Sequence, residues 1–155
     1  MTIKRRTILK RTLAASTVAM AAGAGLIPRS LLAAWPESAF RARDVSEAIT
    51  SLVGAGAPSD SDQIKIKAPD IAENGAVVPV TVSSSLNNVE SISIVATNNP
   101  TPLTSNFIFG GGTEPFVSTR IKMAKTSDVI AVVKADGNLY STRKEVKVTI
   151  GGCGG

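Results

Sequence analysis

A chain of 155 residues, 43% of them hydrophobic, with one Cys and no His, is long enough for one domain with a real core and short for two. Without histidine there is no Ser-His-Asp or Cys-His nucleophile pair, and one Cys cannot assemble a zinc, copper or haem site of the ordinary kind. The formal charge of +5 is uneven: Lys4, Arg5, Arg6, Lys10, Arg11 and Arg29 all precede Trp35, where no acidic residue stands. That leaves 11 basic against 12 acidic residues in the remainder, so the basic excess is not a nucleic-acid or membrane-binding surface.

The first 34 residues read as an export signal. Paired arginines in KRRTILK (Lys4–Lys10) precede the uncharged run Leu13–Ile27, and small residues follow, with cleavage expected after Ala33 or Ala34. The apolar run has 15 residues, below the ~20 that a spanning helix needs. Its low hydrophobicity and the arginine pair are similar to a twin-arginine (Tat) signal, with Lys4 and Ile8 departing from the usual pattern. The mature chain is thus expected in the periplasm.

Residues 35–62 read as a helix and a linker. Pro36 to Val53 predicts one helix: Pro36 suits its start, and Val45, Ala48, Ile49 and Leu52 fall on one face. Gly54 and Gly56 end it, and GAGAPSDSD (Gly54–Asp62) is polar.

From residue 63 to 150 the period is two. Ile64 and Ile66, then Val78, Val80 and Val82, then Ile92 and Ile94 alternate with polar residues or proline. Phe107–Phe109 and Phe116–Met123 are further strand candidates. VIAVV (Val129–Val133) is apolar on both faces, which predicts a central strand. Asp136-Gly137 before Leu139-Tyr140 predicts a two-residue hairpin, because a type I′ turn needs residues that accept positive φ. Glu145 to Ile150 is the last strand. Pro79 predicts an edge position or a bulge. Gly110-Gly111-Gly112 lacks the context of a phosphate-binding loop. The expected fold is mainly β: an immunoglobulin-like antiparallel β-sandwich with one N-terminal helix and a flexible C-terminal arm.

The arm is Gly151-Gly152-Cys153-Gly154-Gly155. An odd thiol in an exported protein is either intermolecular or reactive, and without a CxxC there is no internal dithiol pair. Glycines on both sides give the backbone free torsions and leave no side chain beside the sulfur, so such a segment fits a narrow channel. The terminal carboxylate two residues away disfavours the thiolate relative to a free Cys of pKa about 8.5. A visiting enzyme is expected to supply the activating charge. A quiet thiol in an oxidising compartment suits an attachment point.

VKVTIGGCGG at the terminus, preceded by STRIKMAKTSDVIAVVKADGNLYSTRKE (Ser118–Glu145), resembles the SoxY family, as do PDIAENGAVVPVTV (Pro69–Val82) and NNPTPL (Asn98–Leu103). These are the substrate-carrying subunits of the SoxYZ sulfur-carrier complex of thiosulfate oxidation. The resemblance implies an immunoglobulin-like fold, Cys153 as the substrate-bearing residue, and Gly151, Gly152, Gly154 and Gly155 as its swinging arm. It implies SoxZ as the heterodimer partner, SoxAX, SoxB and SoxCD as transient partners, no cofactor, and a carrier that is not itself an enzyme. Two alternatives stand beside it. A ubiquitin-like sulfur carrier also ends in Gly-Gly, but is cytosolic and needs no adjacent Cys. An exported module could use its tail Cys for an intermolecular disulfide.

Overall fold

The structure is a computed structural model that describes residues 36–54 and 56–149. The stretches read as an export signal and as the carrying arm lie outside these residues.

The period-two segments become strands of two facing sheets. β1 (Ser59–Asp60), β2 (Ile64–Lys67), β3 (Ile71–Ala72), β4 (Val78–Ser84), β5 (Val89–Ala96), β6 (Leu103–Ile108), β7 (Phe116–Ile121), β8 (Ser127–Ala135) and β9 (Asn138–Val148) follow in chain order. The larger sheet runs β1-β9-β8-β5-β6, with β3 also on β9, and the smaller runs β2-β4-β7. Pairing is antiparallel except at β1 and β3, which lie parallel to β9. β1 falls within the stretch that reads as a linker.

Alternation decides what each sheet buries. From the larger sheet, Ile92, Ile94, Val129, Val133 and Val146 point inward. From the smaller, Ile64, Val78, Val80, Val82 and Ile121 meet them. All of these are β-branched, which suits a pleated surface. Each fully buried Val or Ile contributes roughly 1.5–3 kcal/mol of transfer free energy.

β8 is central, as its two-faced apolar pattern predicts, lying between β9 and β5. Its outward Ile130 packs under two helices, α1 (Glu37–Arg41) and α2 (Val45–Val53), together with Val95 and Leu103. Val132, Val95 and Leu103 share a small gap with Ile49, Leu52 and Val53 of α2. The helical stripe expected at Val45, Ala48, Ile49 and Leu52 therefore faces the sheet. The result is three layers: helices, the larger sheet, the smaller sheet.

The single helix expected over Pro36–Val53 is two. Ala42 is extended at ψ 140°, and Asp44 starts a new helix by accepting from the Ser46 and Glu47 N–H groups. The Ser46 hydroxyl also donates to Asp44, and these donors, the hydroxyl foremost, hold its carboxyl below the usual range. Asp44-Val45-Ser46-Glu47 has the spacing of a capping box. Gly54, at φ 90°, ends α2 as its position predicts.

Pro79 lies in β4, the middle strand of the smaller sheet, with no bulge. β2, however, stops at Lys67 opposite Thr81, so at Pro79 only β7 is alongside. The Ser84 N–H bonds Pro115 O on the β7 side. By alternation the ring nitrogen of Pro79 faces the side that β2 has vacated. The edge reading thus holds locally.

The β8–β9 turn is Asp136-Gly137, at φ 50° and 73°, as type I′ requires. Glu90 secures it by accepting from the Gly137 N–H at 3.0 Å and pairing Lys134 at 2.8 Å. Lys134 first, then the Gly137 N–H, keeps the Glu90 carboxyl below its usual range.

Candidate functional site

Cys153 and Gly151, Gly152, Gly154 and Gly155 lie outside the described residues. The structure shows where their segment is rooted, and how firmly. β9 is one continuous strand of eleven residues, although Ser141–Glu145 in its middle is polar. It pairs with β8 from Asn138↔Ala135 to Val146↔Ser127. Lys144, half-buried, extends its ammonium to Asp70 Oδ1 at 3.0 Å and Ala68 O at 2.7 Å. This ties the segment that leads into β3 onto β9.

β3 then covers the free edge of β9 at its end. The Lys147 N–H donates to Asp70 O at 2.9 Å, and the Thr149 N–H to Ala72 O at 3.1 Å. On the opposite edge β8 has finished, and a side chain takes its place. Thr126 Oγ1 accepts from the Val148 N–H at 3.0 Å. So the backbone is held on both edges up to Thr149, with Ile150 alone between Thr149 and Gly151. Thr126→Val should free the Val148 N–H, losing about 1 kcal/mol for one hydrogen bond. Hydrogen exchange at Val148 should then quicken about fivefold, with the core amides of β5 unchanged.

Packing at this end needs a residue without a side chain. A Cβ on Gly75 would lie 2.4 Å from Met123 O and 2.8 Å from Val148 Cγ1. Gly75 O in turn accepts from the Met123 N–H at 2.7 Å. Neighbouring loops are cross-linked by amide side chains. Asn99 donates to Lys122 O and accepts from the Ala124 N–H, and Asn98 donates to Thr126 O at 2.7 Å. Asn98 and Asn99 belong to the NNPTPL segment already singled out. Thr126, Gly75 and the two-residue β3 were not legible as parts of the site.

Among the described residues no group of three or more His, Cys, Asp or Glu is placed to hold a metal ion. The geometry supplies a strand that ends at Val148, with four residues between it and the glycine-framed Cys153.

The family model described as "Sulfur oxidation protein SoxY" matches residues 49–153, so the match ends on Cys153. No curated protein sequence matches the chain. Among solved structures, the sulfur carrier protein SoxY from Chlorobium limicola f thiosulfatophilum is 45% identical, with a TM-score of 0.62 over 67% of this chain and 94% of that one. Superoxide reductase (Neelaredoxin) from Ignicoccus hospitalis is 24% identical, with a TM-score of 0.51 over 56% of this chain and 80% of that one. At that identity the likeness shows the fold alone. Matched by the family model over more than half of its length, and sharing the β-sandwich of a 45%-identical carrier, the chain belongs to the SoxY family.

Proposed function

We propose that the chain carries the sulfur intermediates of thiosulfate oxidation as covalent adducts on Cys153 and presents them to partner enzymes in the periplasm. Membership of a family of sulfur-oxidation carriers gives the coarse role. The observation that carries the finer reading is that the family match runs to the chain's only cysteine. The root of that segment is fixed on both edges through Thr149, so a visiting pocket meets a thiol presented from a constant position.

The chemistry needs only a thiol here. A c-type cytochrome of the SoxAX kind removes two electrons as the Cys153 thiolate and thiosulfate join, giving Cys–S–S–SO3⁻. A hydrolase of the SoxB kind then adds water across the terminal S–S bond. Sulfate and a proton leave, and a persulfide stays. A sulfur dehydrogenase of the SoxCD kind oxidises the outer sulfur before a second hydrolysis. SoxZ, a second β-sandwich, completes the heterodimer. The twin-arginine leader accounts for export. In this scheme the chain is a carrier, not an enzyme.

Intact-mass spectrometry of the protein purified from cells fed thiosulfate tests this. Adducts of sulfur, and of sulfur plus sulfite, located on Cys153 are the expected result. Free thiol and disulfide dimer alone would reduce the tail to an assembly link.

A further inference from the structure

The two sheets differ on their outer faces. Helices pack on the larger sheet. The outer face of the smaller sheet is open, with Lys65, Lys67, Phe116, Ser118 and Arg120 exposed. Alternation puts them there: Ile64, Val117 and Ile121 turn into the core, so the residues between them turn out. β2, β4 and β7 together contain three cations and no carboxylate.

The registers lay this face out as a grid. Lys67, Thr81 and Ser118 form one row, with Lys65, Ser83 and Phe116 in the row beside it. Arg120, opposite Pro79, lies in the row on the other side. With strands ~4.8 Å apart and ~3.3 Å per residue, Lys65 and Lys67 stand about 7 Å apart at the backbone, and Lys67 and Arg120 about 12 Å. Between these two cations the Thr81 and Ser118 hydroxyls share a hydrogen bond of 3.2 Å. Among the described residues none of the three cations has an ion-pair or side-chain hydrogen-bond partner. Asp62 and Glu114 precede β2 and β7, off the end of the grid, and Asp70 is turned to Lys144.

This face is uncompensated in a chain that is otherwise balanced, with 11 basic against 12 acidic residues from Trp35 onward. The chemistry of the patch selects what would compensate it. A nucleic-acid binder carries a strongly basic domain, and a membrane-surface patch gathers roughly four to eight cations. Here the body is slightly acidic and the face offers three. Spaced cations with hydroxyls between them, on a flat sheet, suit carboxylates spread over a protein surface. The face is also smaller than the ~20–30 residues a side of a stable interface, which suits partners that come and go.

We propose that the outer face of the smaller sheet is a landing surface for the acidic face of a partner enzyme: carboxylates there meet Lys65, Lys67 and Arg120 and steer the enzyme onto the carrier. This rests on the carrier reading above and adds to it the surface that brings the enzymes in.

The test uses the mature chain in its heterodimer and the variant Lys65→Gln/Lys67→Gln/Arg120→Gln. Thermal unfolding should coincide, since all three side chains are exposed. Association with the hydrolase and with the cytochrome is measured in turn. The rate constant should be about tenfold lower in the variant at low salt for at least one of them, with dissociation unchanged. Added salt should slow the parent and close the gap. A polyglutamate peptide should shift the amide NMR signals of β2 and β7 in the parent and leave the variant unmoved. Equal association rates for both enzymes would overturn the landing surface. Equal rates together with self-association of the variant would show that the lysines guard the edge of β2 instead. Duplex DNA or anionic lipid vesicles that bind these residues more tightly than polyglutamate would assign the face to phosphates and end the proposal. The carrier reading is decided separately, by adducts on Cys153 from thiosulfate-fed cells, so either can fail alone.

Discussion

Cys153→Ser is expected to fold like the parent and to carry no sulfur at all. The chain has one cysteine, so no second thiol can substitute. A serine hydroxyl neither ionises usefully near neutral pH nor forms a stable bond to the sulfane sulfur of thiosulfate. Folding should be untouched, because the substitution lies beyond Thr149, the last residue held by a described hydrogen bond. The measurement has two parts. Thermal unfolding should coincide with the parent's. Intact mass after thiosulfate feeding, and thiosulfate oxidation with the partner enzymes added back, should both fall to background. Residual oxidation would mean that another residue holds the substrate. Gly152→Val tests the path to the thiol: folding and thiol content should be unchanged, while turnover by partners is lost. Normal turnover in that variant would discard the idea of a narrow channel.

Gly75→Ala is expected to have the largest effect on stability among single-methyl changes at this end. The added Cβ would sit 2.4 Å from Met123 O, which is backbone and cannot swing aside, and 2.8 Å from Val148 Cγ1. Either the β3–β4 turn moves off the β7–β8 loop, losing the Met123 N–H to Gly75 O bond, or Val148 is displaced. Overpacking of this kind costs roughly 1–3 kcal/mol, and each kcal/mol lowers the melting temperature of a domain this size by roughly 4 °C. Calorimetry reads the shift, and hydrogen exchange should show Val148 and Thr149 losing protection first. Gly111→Ala is the control, since nothing lies within 4 Å of its new Cβ. An unchanged melting temperature for Gly75→Ala would show that the two loops are not packed as described.

Much of the sandwich was legible because alternation reports a buried face directly. The valines of β4, the isoleucines of β5 and the two-faced β8 each took the place that their pattern predicted. The Asp136-Gly137 turn was legible for an equally local reason, its positive φ angles. β1 and β3 were not, because two residues carry no period and their partner is far along the chain. β9 read as two pieces since Thr142 and Lys144, though on its inward side, are polar; Lys144 reaches out of the core to Asp70. The break between α1 and α2 was present in the capping spacing of Asp44 and Glu47, but was masked by the apolar stripe that follows. At the candidate site, the thiol, which lies outside the described residues, stood out in the sequence through its setting among glycines. Thr126 and Gly75 did not, because a threonine that replaces a strand partner and a glycine that admits a neighbouring carbonyl are defined by tertiary contact alone.

β9 runs antiparallel to β8 along nearly its whole length and is flanked on its other edge by β1 and β3. A tug on the tail therefore loads this ladder lengthwise, in shear, with its cross-strand hydrogen bonds straining together and none peeled off singly. In the proposed carrier role, a partner that grips the end of the chain pulls against that resistance, so release of the tail need not unravel the domain that bears it.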